Sequence, residues 1–252
     1  MLMYAVRDTW SMTKRSLRHT VRSVDTIITV AIMPIFTMLF FVYLFGKSIP
    51  TGSVKYIDFV TPGVVLMTVV TGIAYAAVRL HADMQKGMIN RFRTMPIAPS
   101  SILGGHAASS VLSCLLSVVL VMAVALAVGF RSDASLLSWL LVIAIMLLFT
   151  VATTWLAIVF GLLAKSAEGA GVFSYVLLLF VFTSPAFAST DSMSSAVKTF
   201  SRHQPITPVI ETMRSLLVDN TAGSSAWVAI AWCVGLLVVS YVAAVRLYDN
   251  AG

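Results

Sequence analysis

Six long stretches hold no Asp, Glu, Lys, Arg or His: Ile27 to Gly46, Phe59 to Val78, Ala107 to Phe130, Ala134 to Ala164, Gly169 to Thr190 and Thr221 to Val245. Each reaches the roughly 20 residues that a helix rising about 1.5 Å per residue needs to cross about 30 Å of hydrocarbon. The fourth is long enough to tilt or to extend past the membrane. These runs are continuously apolar and do not alternate in strands of about ten residues, which excludes a transmembrane barrel. Of the 252 residues, 59% are hydrophobic and 11% charged, whereas a soluble domain is about a quarter charged. A chain of this size has too little interior to hide so many apolar residues from water. The expected fold is all-α: one polytopic membrane domain over residues 1–252, crossing the bilayer six times.

Basic residues set the expected orientation. With the N-terminus in the cytoplasm, Arg7, Lys14, Arg15, Arg18, Arg22, Arg79, Lys86, Arg91, Arg93, Lys165 and Arg246 lie inside, eleven against six outside. The outer six are Lys47, Lys55, Arg131, Lys198, Arg202 and Arg214, and three of these fall in the single long outer segment, where charge bias is less constrained. Both termini are therefore expected in the cytoplasm of a cell whose plasma membrane holds the chain. The net charge of +7 follows from the same bias and calls for no nucleic acid. The first apolar run is too long for a signal-peptide core and lacks a small-residue cleavage site, so it is expected to stay as a span.

Residues 1–26 carry a further pattern. At about 100° per residue, Arg7, Lys14, Arg15, Arg18 and Arg22 share one sector, and Val6, Trp10, Leu17, Val21 and Val24 share its neighbour. This describes a helix lying in the membrane plane, its basic side toward headgroups and Trp10 at the acyl boundary. An ordinary positively charged flank is the plainer reading of the same residues.

What the runs lack bounds the function. Ionisable residues inside a bilayer cost several kcal/mol, roughly, and mark proton relays and ion sites. A chain without them has no evident coupling to an ion gradient, which argues against a secondary transporter; a non-transporting scaffold would lack them too. A phosphate-cradling Gly-x-x-x-x-Gly-Lys-Ser/Thr loop is also missing, the nearest approach being Gly161 to Ser166 without the glycine before Lys165. Cys114 and Cys233 lie in apolar runs and suggest neither a disulfide framework nor a metal site. His19, His81, His106 and His203 read as satisfied surface side chains, and the scattered Ser and Thr of the spans as helix-packing groups before ligands.

The segment 79–106, between the second and third runs, is rich in polar residues, with Gly87 as a break and prolines at 96 and 99. Pro96 cannot continue a helix interior, Pro99 restricts its predecessor, and Ser100 is placed to cap the next helix. A short exposed helix, a turn and re-entry follow, fitting either a docking element or a solvated connector. On the far side, residues 191–220 contain Pro205 and Pro208, which break a helix, and Glu211 and Arg214, whose i, i+3 spacing suits an ion pair on one face.

Three strings carry a resemblance: Asp83-Met-Gln85-Lys86-Gly87 through Arg91-Phe-Arg93 to Pro96; Tyr56-Ile-Asp-Phe-Val-Thr-Pro62-Gly63; and His203-Gln-Pro205-Ile-Thr-Pro208-Val-Ile-Glu211-Thr-Met-Arg214. In this order, and with this number of runs, the chain resembles the type-2 ATP-binding cassette export permeases, particularly the daunorubicin-resistance branch. Asp83 and Gln85 depart from the commoner form, which carries Glu near the start of the first string. The resemblance implies a coupling element made of Asp83, Gln85, Lys86, Gly87, Arg91, Arg93 and Pro96. It also implies that the N-terminal segment, with Arg7, Trp10, Lys14, Arg18 and Arg22, sits at the membrane interface. Pro205, Pro208, Glu211 and Arg214 would belong to an extracellular or re-entrant gate. The implied partners are two copies of a separate ATPase, which bind the ATP and magnesium, and a second permease chain, identical or homologous. This chain itself is expected to hold no cofactor and no catalytic residue. The implied cargo is an amphiphile such as a drug, antibiotic or lipid, with a polysaccharide or lipid-linked glycan as the alternative. Tyr75, Trp139, Trp155 and Tyr175 are too few and too scattered to decide for a glycan channel.

Overall fold

The computed structural model describes residues 32–46, 48–49, 54–85, 99–188 and 194–250, with the backbone alone at 99–102 and 249–250. All regular structure among them is helical: α1 (Met33–Phe45, its last turn a π-helix over Phe41–Phe45), α2 (Tyr56–Gln85), α3 (Pro99–Val128), α4 (Leu136–Leu163), α5 (Ala167–Phe182), α6 (Ser195–His203), α7 (Ile206–Arg214, continuing as a π-turn over Ser215–Asp219) and α8 (Ser225–Asn250). The amphipathic segment 1–26 lies outside the described residues.

Four of these helices, α2, α3, α4 and α8, are long and apolar enough to cross a membrane, while α1 and α5 are shorter apolar helices. The fifth apolar run was expected to stay helical to Thr190, but α5 stops at Phe182 after 16 residues, about 24 Å at 1.5 Å per residue. Pro185 is the cause: it has no N–H and biases Ser184 away from helical geometry, so the chain turns through residues 183–188. At the other polar loop, α3 begins at Pro99 itself. Proline is pre-set for the first helical turn, so Ser100 lies inside the helix and is not its cap.

The second helix is the hub. In its most apolar window 61% of residues are buried, against 28% in α3, 44% in α4 and 22% in α8. It packs against α3, α4 and α5, and α4 in turn packs along α8. Small side chains permit this closeness, as membrane helices lack a strong hydrophobic drive to associate and rely on tight contact. A Cβ at Gly161 of α4 would lie 3.0 Å from the Ala77 carbonyl of α2. The surrounding helices keep Leu137, Leu140, Ile143, Val238 and Val239 exposed, which suits a lipid environment.

Many buried hydroxyls of the long helices are satisfied within their own helix. Thr61, Thr68, Thr150, Thr153 and Thr154 each donate to the carbonyl four residues earlier, at 2.7–2.8 Å, and Ser113 and Ser117 do the same in α3. This is how a polar side chain avoids a cost in a medium without water.

The helices alternate in direction, so the polar connections gather at two ends. Residues 56–59, 130–138, 183–187 and 204–225 meet at one end through hydrogen bonds among Tyr56, Asp58, Phe59, Arg131, Ser132, Ser135, Pro185, Phe187, Arg214, Leu217 and Asn220. At the opposite end Leu80, Leu103, Ala107, Ile158, Ala244 and Tyr248 form a separate apolar cluster.

Candidate functional site

The end that carries Leu80 also presents the start of the sequence-predicted coupling element. Asp83 and Gln85 occupy the last turn of α2. The Asp83 carboxylate lies 3.4 Å from His106 Nε2 on α3, and both side chains remain partly exposed, 28% and 22% respectively. His106 is therefore an ion-pairing partner when protonated and not merely a solvated surface group. The contact ties together the two helices that flank the polar loop. Lys86, Gly87, Arg91, Arg93 and Pro96 lie outside the described residues.

At the other end, Arg214 joins three elements. Its Nη2 donates to the Phe59 carbonyl at 2.9 Å and to the Pro185 carbonyl at 2.7 Å, with Nε also toward Phe59 at 3.3 Å. The guanidinium carbon stands 3.7 Å from the centre of the Phe59 ring, within the range of a cation–π attraction. A planar fork of donors suits this arrangement, for it can serve two carbonyls while its face rests on a ring. The expected Glu211–Arg214 ion pair does not form: Glu211 is exposed and accepts a hydrogen bond from the Ser225 hydroxyl at 3.2 Å, whereas Arg214 turns inward to backbone carbonyls. Uncharged acceptors can hold the arginine without burying a carboxylate beside it.

The prolines divide their roles. Pro205 separates α6 from α7, as expected, but Pro208 does not break a helix; it sits in the first turn of α7, where an absent N–H loses nothing. Gln204, between the helices, is buried and donates to the Thr207 hydroxyl at 3.1 Å. Ile206, Val209, Ile210 and Met213 of α7 are buried, and the helix packs against α2, α4, α5 and α8. It is thus wedged into the bundle at that end.

Several further residues complete the junction, none of which the sequence alone assigns to the gate. Asn220, at φ 56° the one described non-glycine residue in left-handed geometry, accepts from Ser135 N at 2.9 Å and Ser138 Oγ at 2.6 Å. Asparagine tolerates that geometry better than most residues. Asp58 accepts from the Arg131 amide at 3.1 Å. A Cβ at Gly63 would fall 2.8 Å from both the Cβ and the carbonyl oxygen of Ala186, so glycine is what lets the 183–188 turn lie against α2. The string from Tyr56 to Gly63 contained this signal, as did the proline at 185. What the string could not supply was the partner, 155 residues away along the chain for Phe59 and Arg214.

The long apolar helices and two polar ends define a multi-pass membrane protein. Residues 7–218 match the ABC-2 type transporter family, and the chain belongs to it. It is 28% identical over 228 residues to the daunorubicin resistance ABC transporter permease protein DrrB1 of Streptomyces coeruleorubidus, covering 89% of this chain and 80% of that protein. A probable doxorubicin resistance ABC transporter permease protein, DrrC of Mycobacterium tuberculosis, is 22% identical over 241 residues, with 93% and 85% covered. The putative transport permease ycf38 of Porphyra purpurea is 26% identical over 221 residues, with 86% and 75% covered.

Proposed function

We propose that this chain is the membrane-crossing permease of an ATP-driven exporter that moves an amphiphilic drug, antibiotic or lipid out of the cell. The observation that carries the reading is family membership over residues 7–218, joined to likeness over most of the chain to permeases named for daunorubicin and doxorubicin resistance. The ATPase is a separate subunit present in two copies, which binds the ATP and magnesium, and a second permease chain completes the pathway. Six spans are counted by including α1 and α5 with the four long helices, both termini facing the cytoplasm.

In this orientation the Asp83 end is cytoplasmic and the Arg214 end is outside. Asp83, Gln85, Lys86, Gly87, Arg91, Arg93 and Pro96 receive the movement of the ATPase, while Arg7, Trp10, Lys14, Arg18 and Arg22 hold the N-terminal segment at the inner interface. Pro205, Pro208, Glu211 and Arg214 belong to the outer gate. A single helix supports the link between the two ends: α2 carries Phe59 in its first turn and Asp83 in its last. A shift of α2 driven from the cytoplasm therefore reaches the carbonyl that Arg214 holds. Glycan export has less support, because Trp155 pairs edge-on with Tyr241 at 4.8 Å while Tyr175 is 70% exposed, so the aromatic side chains do not gather along one path.

Reconstitution tests the reading. Inverted vesicles holding this chain and its ATPase are expected to accumulate daunorubicin on addition of ATP. Vigorous ATP hydrolysis without movement of any amphiphile tested would overturn the export assignment.

A further inference from the structure

The short helix α6 has three distinct sides. At about 100° per residue, Ala196, Val197 and Phe200 fall within one sector about 100° wide, Lys198 and Arg202 fall within a second about 40° wide, and Ser201 points between them. Ser201 is fully buried and faces Thr207 of α7, 3.5 Å away between hydroxyls. The protein therefore covers the side of α6 between its apolar and basic sectors. The apolar sector is left open: Val197 is 37% and Phe200 45% exposed. Its level is marked by the Phe200 ring, which stands 5.6 Å from the ring of Phe180 in the last turn of apolar helix α5. An exposed apolar strip that continues the surface of a membrane helix at its very end, with cations on the opposite side, is the pattern of a helix lying in the bilayer interface.

We propose that α6 is an interfacial anchor, with Val197 and Phe200 seated among the outermost acyl carbons of the leaflet at the Arg214 end and Lys198 and Arg202 facing lipid phosphates. The occupant is phospholipid because both halves of the surface fit one molecule: an apolar strip continuous with α5 and a cationic edge at the level of the headgroups. The last turn also carries His203, whose Nδ1 donates to the Thr199 carbonyl at 2.8 Å one turn earlier on the same helix. Through Gln204 and Pro205 the anchor leads directly into α7, and it thereby fixes the depth at which Arg214 meets Phe59.

Spin-label depth measurement tests this on the full chain, without an ATPase or a transported compound, so its outcome is separate from that of the export reading. In a background with Cys114→Ala and Cys233→Ala, single labels at Val197→Cys, Phe200→Cys and Thr199→Cys are compared in vesicles of phosphatidylethanolamine and phosphatidylglycerol. Labels at 197 and 200 are expected to collide with oxygen several-fold more than with a water-soluble nickel chelate, and the label at 199 to show the reverse. Adding Lys198→Gln and Arg202→Gln is expected to move the 200 label measurably toward water. Nickel accessibility at 197 and 200 matching that at 199 would place α6 in solvent, and shielding of 197 and 200 from both reagents would show a protein partner there; either overturns the proposal. An unchanged depth on removing both cations would overturn the phosphate contact.

Discussion

Arg214 Nη2 donates to the carbonyl of Phe59 at 2.9 Å while its guanidinium rests 3.7 Å from the centre of that residue's ring. Backbone and side chain of one α2 residue are thus held by one cation, which also reaches Pro185. The segment before α8 is locked onto the hub helix by a group that, among the described residues, makes no ion pair with a carboxylate.

Replacing this arginine separates charge from shape. Arg214→Gln removes charged hydrogen bonds and the ring contact, with an expected loss of about 2–4 kcal/mol. Arg214→Lys keeps the charge but serves only one carbonyl well, and about half that loss is expected. Thermal unfolding in detergent measures both, and equal stability of the lysine variant and the parent would contradict the role of the fork.

The Asp83–His106 contact is expected to matter for coupling more than for stability. A partly exposed pair contributes roughly 0–1 kcal/mol, so Asp83→Asn should leave the melting temperature nearly unchanged. In the complex it should lower the ratio of transport to ATP hydrolysis, and the His106→Gln variant should do the same without adding to it. Additive losses in the double variant would show that the two residues act apart.

Charge reversal in the loop tests the docking element itself. Lys86→Glu with Arg91→Glu is expected to weaken ATPase attachment or uncouple hydrolysis from export, with normal membrane insertion. Pull-down and vesicle transport both unchanged would remove these residues from the coupling element.

Gly63→Ala places a methyl group 2.8 Å from the Ala186 carbonyl oxygen. A backbone atom cannot rotate away, so a destabilisation of about 1–3 kcal/mol is expected. Ala186→Gly should rescue it only in part, since the carbonyl remains; unfolding of the single and double variants in parallel checks this.

The apolar runs disclosed the helices because a bilayer demands about 20 apolar residues per crossing whatever the tertiary fold. They were poor guides to where helices end: hydropathy reads through Pro185 and Thr183, whereas the backbone stops at Phe182. Spacing alone pairs Glu211 with Arg214, but in the folded chain nearby carbonyls on α2 and the 183–188 turn hold the arginine instead. His106 reads in the sequence as a surface side chain, because an ion pair across two helices leaves no trace in local sequence. The loop strings were legible through family likeness, but Lys86 through Pro96 lie outside the described residues, and their part in coupling rests on that likeness.

The central claim is that this chain supplies a passage and takes its power from another subunit. Daunorubicin uptake into inverted proteoliposomes, measured with and without the ATPase, tests it most directly. Uptake is expected only when the ATPase and ATP are both present, and it should persist when an ionophore collapses the proton gradient. Uphill uptake by the purified chain alone, driven by that gradient, would contradict the account.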